Sequence, residues 1–262
     1  GRITSDGRYR VTYQGKVVCD APVQAVTSGI LYQRAAQPQE WTESEPDFAP
    51  PQDLGAVLLQ VLGSANVCSR EYIYRAYDTE VQGNALLRPG EAGAGVCRPL
   101  PGSLAGCALS VDGNPKYGII SPYWGGATAV AEAMRNVAAV GAVPSALTDC
   151  LNFGNPEKPD QFWEFQEGVR GITDAANNLW LKGYQNTPVP IISGNVSLYN
   201  ESAAGSAVAP SPIIACVGVM PDYSKAVTMQ FKQAGDALYV LGERRDELGG
   251  SAYYEVLGLG LG

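Results

Sequence analysis

Oxygen donors, small residues and glycines concentrate in two short stretches, Asp149-Cys150-Leu151-Asn152-Phe153-Gly154-Asn155-Pro156-Glu157-Lys158-Pro159 and Ser193-Gly194-Asn195-Val196-Ser197-Leu198-Tyr199-Asn200-Glu201. Each follows an apolar run that reads as a buried strand, residues 144–147 and 189–192, and each is expected to begin where that strand ends. Strand ends are where backbone amides, carboxylates and amide oxygens converge on a ligand without disturbing a core. A carboxylate at Asp149 has the chemistry to reach a metal ion or a nucleotide, although aspartate is equally common as a turn or helix cap. In the second stretch Gly194 lets backbone approach a phosphate, Asn195 offers a neutral oxygen to a hard cation, and Ser197 brings an N–H and a hydroxyl. The same residue types are also ordinary turn formers. Lys158 suits either a phosphate contact or a solvated position near a helix start.

A third group sits upstream. Glu132 and Asn136 are spaced i and i+4, so a helix over residues 127–139 would project both from one face as a pair of oxygen donors for a cation, or as solvated polar groups. Asp112, in Asp112-Gly113-Asn114-Pro115-Lys116, reads as the end of a strand with a second ligand role open to it. No Gly-x-x-x-x-Gly-Lys-Ser/Thr phosphate loop occurs, and Gly258-Leu259-Gly260-Leu261-Gly262 does not lead from a strand into a helix as a dinucleotide fingerprint requires.

Composition narrows the chemistry further. The 262 residues include no histidine, which removes Ser/His/Asp and Cys/His nucleophilic catalysis and His-ligated zinc. Acid–base work must use Asp, Glu, Lys or Tyr, or come from another chain. The net charge of −8 and the lack of a basic, aromatic-interleaved stretch argue against nucleic acid as partner. An acidic protein that takes a phosphorylated ligand must neutralise it locally, which makes magnesium a natural expectation. The six cysteines are widely spaced, with no Cys-x-x-Cys pair, and read as reduced, buried thiols of a cytoplasmic protein. No apolar run is long enough to span a bilayer, so no membrane partner is expected.

The elements that must hold these residues alternate between strands and helices, giving an α+β layered fold with a mixed β-sheet covered by helices. Residues 1–35 open with a short β-meander that cannot be stable alone and reads as the end of a preceding domain. Residues 36–53, rich in proline and acid, read as a linker. Residues 54–222 form the main domain, and residues 223–262 the start of a further, truncated one. Helices are expected from Leu54, over 127–139, and from Pro159-Asp160, where Phe162, Phe165, Val169, Ile172, Ala176 and Leu179 make an apolar stripe. Strands are expected at 85–87, 107–111, 117–120, 145–148, 189–192, 212–220 and 236–241.

Several segments, in order, resemble the formylglycinamide ribonucleotide amidotransferase family, within the aminoimidazole ribonucleotide synthetase superfamily. They are Tyr74-Arg75-Ala76-Tyr77-Asp78, Val81-Gln82-Gly83-Asn84, Asp112 to Tyr117, Ala129 to Ala133 with Arg135-Asn136, Asp149 to Pro159, Val169-Arg170-Gly171 and Ser193 to Glu201. The resemblance covers roughly residues 54–248, more weakly 1–23, and is to the second half of the synthetase. It implies an amino-terminal-type domain over 54–222, flanked by truncated pieces of carboxy-terminal-type domains. It implies ATP at Asp149 and Gly194, magnesium at Asn195, and formylglycinamide ribonucleotide at Ser197. Glu132 and Asn136 resemble the metal-binding pair of an auxiliary nucleotide site, whose expected aspartate is replaced by Gly106. Residues 179–186 depart from the family pattern as an insertion that lengthens the connection between the two motifs and is expected to extend a surface helix or loop.

The implied reaction uses ATP to activate the substrate amide oxygen, after which ammonia displaces phosphate to give the amidine. In the family the catalytic histidines lie in the first half of the synthetase and ammonia comes from a glutaminase. The resemblance therefore implies three partners, namely the remaining half of the synthetase, a glutaminase subunit or domain, and a second copy in a homodimer. It implies no catalytic residue in this chain. A non-catalytic nucleotide-binding and assembly module is the second reading of the same residues.

Overall fold

The computed structural model describes residues 1–29, 31–181 and 183–262, which form two compact units, residues 1–35 and residues 36–262. The first unit is an antiparallel hairpin of β1 (Arg8–Tyr13) and β2 (Lys16–Pro22), with a bulge between Val11 and Thr12, followed by the single-turn helix α1 (Val23–Thr27). The expected meander is thus reduced to two strands, turned at Gln14-Gly15, where both residues have positive φ.

The second unit runs through α2 (Leu54–Gly63), α3 (Glu71–Tyr74), β3 (Ala85–Leu87), β4 (Gly95–Cys97), β5 (Gly106–Asp112), α4 (Pro115–Ile120), α5 (Pro122–Ala139), β6 (Val143–Asn152), α6 (Pro159–Asn178), β7 (Ile191–Ser197), β8 (Ser211–Met220) and α7 (Ala252–Val256). Six strands make one mixed sheet in the order β3-β4-β5-β8-β6-β7, antiparallel except for the parallel pair β6 and β7. The crossover from β6 to β7 is helix α6, as a parallel connection requires. One sheet face is buried beneath α5 and α6 by Ala108, Leu147, Leu151, Ile214 and Cys216, against Val130, Ala133, Val137 and Ile172. The opposite face exposes Leu109, Val111 and Val219.

Helix α5 lies close to α6 because glycines remove side chains at the contact. A Cβ on Gly171 would overlap the Tyr123 carbonyl, and one on Gly126 would overlap the Gly168 carbonyl. Beneath them Phe153 fills the core and meets Phe165 edge to face, ring centroids 5.4 Å apart.

Several expectations are corrected. Residues 117–120 are helical, because Asn114 caps α4 by accepting a hydrogen bond from the Lys116 N–H at 3.0 Å while Pro115 occupies the first turn. Residues 236–241 form no regular element; their apolar side chains are exposed, and among the described residues no strand pairs with them. Strands β6 and β7 continue past the apolar runs that announced them. The strand at 189–192 starts only at Ile191 and runs to Ser197, since β7 is an edge strand whose side chains reach solvent and polar residues cost little there. Within 179–186, Lys182 lies outside the described residues; the described neighbours form no strand or helix beyond the end of α6.

Candidate functional site

The parallel pairing of β6 with β7 sets Asp149 opposite Gly194, Cys150 opposite Asn195 and Asn152 opposite Ser197. The two polar stretches are therefore neighbours in space, as expected, but their key residues lie inside the strands and not beyond them. A Cβ on Gly194 would overlap the Asp149 carboxylate, so the glycine is what gives that side chain its place. Asp149 is half-buried, and its removal from water pushes its carboxyl above the usual range. A cation or hydrogen-bond donor arriving beside it would recover that cost.

Side chains alternate across a sheet, so Asn195 and Ser197 project from the face opposite Gly194. On that face Thr148 and Ser193 share a hydrogen bond of 2.7 Å. The Ser197 hydroxyl donates to Asn200 Oδ1 at 3.1 Å, and Asn200 Nδ2 donates to the carbonyls of Phe153 and Ser197 at 3.0 and 2.8 Å. Asn200 is thus the clasp between the two stretches, a role its place in a polar run did not announce. Lys158, read as a phosphate ligand or a solvated side chain, instead pairs with Glu201 at 2.6 Å and ties the stretches together a second time. Gln161 holds the intervening loop by accepting from the Asn155 N–H, and Gly154 leaves room for that amide.

Glu132 and Asn136 belong to a separate place. In the sheet order β5 is three strand spacings from β7, about 14 Å at the usual spacing, so one ion cannot be shared by Asn195 and the α5 pair. Asn136 Nδ2 donates to Asp112 Oδ1 at 2.8 Å, while the buried Asp112 Oδ2 has no hydrogen-bond partner among the described residues. Burial is the main cause that pushes the Asp112 carboxyl up, against the hydrogen bond from Asn136. An orphaned carboxylate oxygen beside an amide suits a hard cation. Glu132 lines a neighbouring cavity of about 360 Å³ with Asn66, Asn114 and Lys116.

Gly106 is not the gap in this group: a side chain there would meet Met220 and Tyr223. The glycine that backs onto Asn136 is Gly93, where a Cβ would fall 2.6 Å from the amide oxygen. Gly93 precedes β4 and Gly106 opens β5, and only the folded chain shows which of the two lies against Asn136. Among the described residues no three His, Cys, Asp or Glu side chains gather to hold an ion, so amide or ligand oxygens must complete either set.

Comparison with known proteins agrees with this architecture. The family described as AIR synthase related protein, N-terminal domain, matches residues 92–220. The chain is 62% identical over 257 residues to phosphoribosylformylglycinamidine synthase subunit PurL of Methanothrix thermoacetophila, covering 98% of this chain and 33% of that protein. It is 43% identical to the PurL subunit of an Anaeromyxobacter species, covering 97% and 33%. The chain thus spans about a third of the length of these relatives. Among solved structures, PurLQS from Thermotoga maritima superimposes with a TM-score of 0.61 at 23% identity, covering 86% of this chain and 33% of that one. T. maritima PurL complexed with ATP gives 0.59 at 24%, covering 84% and 32%, which establishes a shared fold.

Proposed function

Because the chain belongs to the phosphoribosylformylglycinamidine synthase family, matching about a third of its PurL subunit, we propose that it forms the second-half nucleotide-binding part of that ATP-dependent ligase. The whole enzyme would convert formylglycinamide ribonucleotide, ATP and ammonia from glutamine to formylglycinamidine ribonucleotide, ADP and phosphate, in the cytoplasm. In this reading Asp149 and Gly194 bind ATP, Asn195 holds magnesium and Ser197 contacts the ribonucleotide, with Glu132 and Asn136 as a second, auxiliary metal pair. Magnesium would supply charge neutralisation of the phosphates. The chain's own contribution is to position: Gly194 keeps the space that Asp149 fills, and Asn200 fixes the Ser197 hydroxyl. The domain division at about residues 35, 53 and 222 belongs to the same proposal.

The observation that carries the reading is the pairing of Asp149 against Gly194 across adjacent parallel strands, with Asn195 and Ser197 following in register. With no histidine in the sequence, acid–base catalysis falls to the remaining half of the synthetase and ammonia to a glutaminase partner. A non-catalytic nucleotide-holding and assembly role for the same site is the second reading. Calorimetric titration with ATP, with and without magnesium, tests both. Magnesium-dependent binding, weakened at least tenfold by Asp149→Ala and by Gly194→Ala, is the expected result. Nucleotide that survives purification unexchanged would favour the assembly role, and binding unchanged in both variants would place the nucleotide elsewhere.

A further inference from the structure

The six cysteines do not behave alike. Cys216 is buried and Cys19 is exposed on the hairpin unit. Cys68 accepts a hydrogen bond from Arg70 Nη1 at 2.8 Å, and Cys150 is approached by Asn152 Nδ2 at 3.6 Å. Cys97 on β4 and Cys107 on β5 differ from all of these, because they are direct partners in an antiparallel ladder. Their neighbours Val96, Gly106 and Ala108 are buried, so both thiols project to the uncovered face of the sheet, where each is half-buried. The expectation of buried, inert thiols therefore fails for this pair.

Directly opposed residues of an antiparallel pair carry Cβ atoms about 4.5–5.5 Å apart, just above the span a disulfide closes, so a small hinge of the strands suffices. Burial first, and then the charge of the facing Cys97, hold the Cys107 proton more tightly than usual. β4 lies near the edge of the sheet with only the three-residue β3 outside it, so the ladder has room to adjust.

We propose that Cys97 and Cys107 form a dithiol modification site that exchanges with small-molecule disulfides to give a cross-strand disulfide. One cysteine thiolate attacks a sulfur of oxidised glutathione, forming a mixed disulfide and releasing one glutathione thiolate. The facing thiol loses its proton and attacks the protein sulfur of that mixed disulfide, releasing the second glutathione. The two protein thiols give up two electrons and two protons, and one glutathione disulfide becomes two glutathione thiols. The bond closes the segment between residues 97 and 107 and fixes β4 on β5, the strand that ends at Asp112. Because Cys107 holds its proton, exchange accelerates as the pH rises above neutrality.

The whole chain is equilibrated in glutathione buffers of graded ratio, quenched by alkylation and mapped by peptide mass spectrometry. Titratable thiols are expected to fall from six to four, with one linked peptide joining residues 97 and 107. The unfolding midpoint should rise by about 5 °C in the oxidised form, as closing a loop of this length implies. Cys97→Ser and Cys107→Ser should each abolish the linked peptide. Should either variant fold poorly, the wild-type map still decides. Six thiols remaining in fully oxidised buffer, or a linked peptide joining any other pair, would overturn the assignment.

Discussion

Glu164 shows how far a single side chain can depart from its sequence context. It sits in the second turn of α6 and lines a cavity of about 480 Å³ with Trp41, Trp163 and Asp160. Burial, and then the neighbouring Asp160 carboxylate, push its carboxyl from 4.5 up to about 7. The folded state therefore holds this proton more tightly than the unfolded state does. Its contribution to stability is greatest below pH 4.5 and declines as the pH rises toward about 7. Glu164→Gln should flatten that slope and raise stability at pH 8 by about 1 kcal/mol, a figure reduced for solvent screening because the group is only partly buried. Urea unfolding at pH 5 and pH 8 measures it, and identical pH dependence in variant and wild type would mean that Glu164 ionises freely. In the sequence Glu164 was one polar residue on an amphipathic helix. Asp149 and Gly194, by contrast, were legible as a pair of motifs, although their overlap in space was not.

The helices illustrate the same division at the next scale. The apolar stripe of α6 and the alanine-rich face of α5 were readable from their periodicity. How closely the two could approach was not, because that depends on which glycines face each other. Gly171 lies against the Tyr123 carbonyl, a backbone group that cannot rotate away, so Gly171→Ala should cost about 2–3 kcal/mol despite alanine's better helix propensity. Thermal unfolding would show it, and a neutral or stabilising result would mean that the helices separate without penalty. α4 was misread as a strand because Tyr117, Ile119 and Ile120 are strand-forming types. Asn114 and Pro115 decide the matter by capping a helix instead. β7 was foreshortened for the opposite reason, since an edge strand tolerates glycine, asparagine and serine that a central strand would not.

At the scale of the molecule, the sheet is covered on one face and open on the other, where Leu109, Val111 and Val219 lie exposed on adjacent strands β5 and β8. An uncovered apolar sheet face of this kind is an association surface. The chain is expected to self-associate through this face at roughly tens of micromolar. Sedimentation should give a dimer, and paired Leu109→Lys and Val111→Lys substitutions a monomer; a monodisperse monomer in the wild type would count against this face. Among the described residues no helix is long and apolar enough to cross a membrane.

The sequence by itself determined the α+β class, the family, the two polar stretches and the absence of histidine chemistry, because periodicity, composition and ordered motifs are local properties of the chain. Only the tertiary structure decided that Asp149 fills the space Gly194 leaves, that Asn136 meets Asp112 and Gly93 and not Gly106, and that Cys97 faces Cys107. Each of these is a matter of strand register or helix approach. Register couples residues far apart in the chain through backbone hydrogen bonds and packing, and no local pattern encodes it.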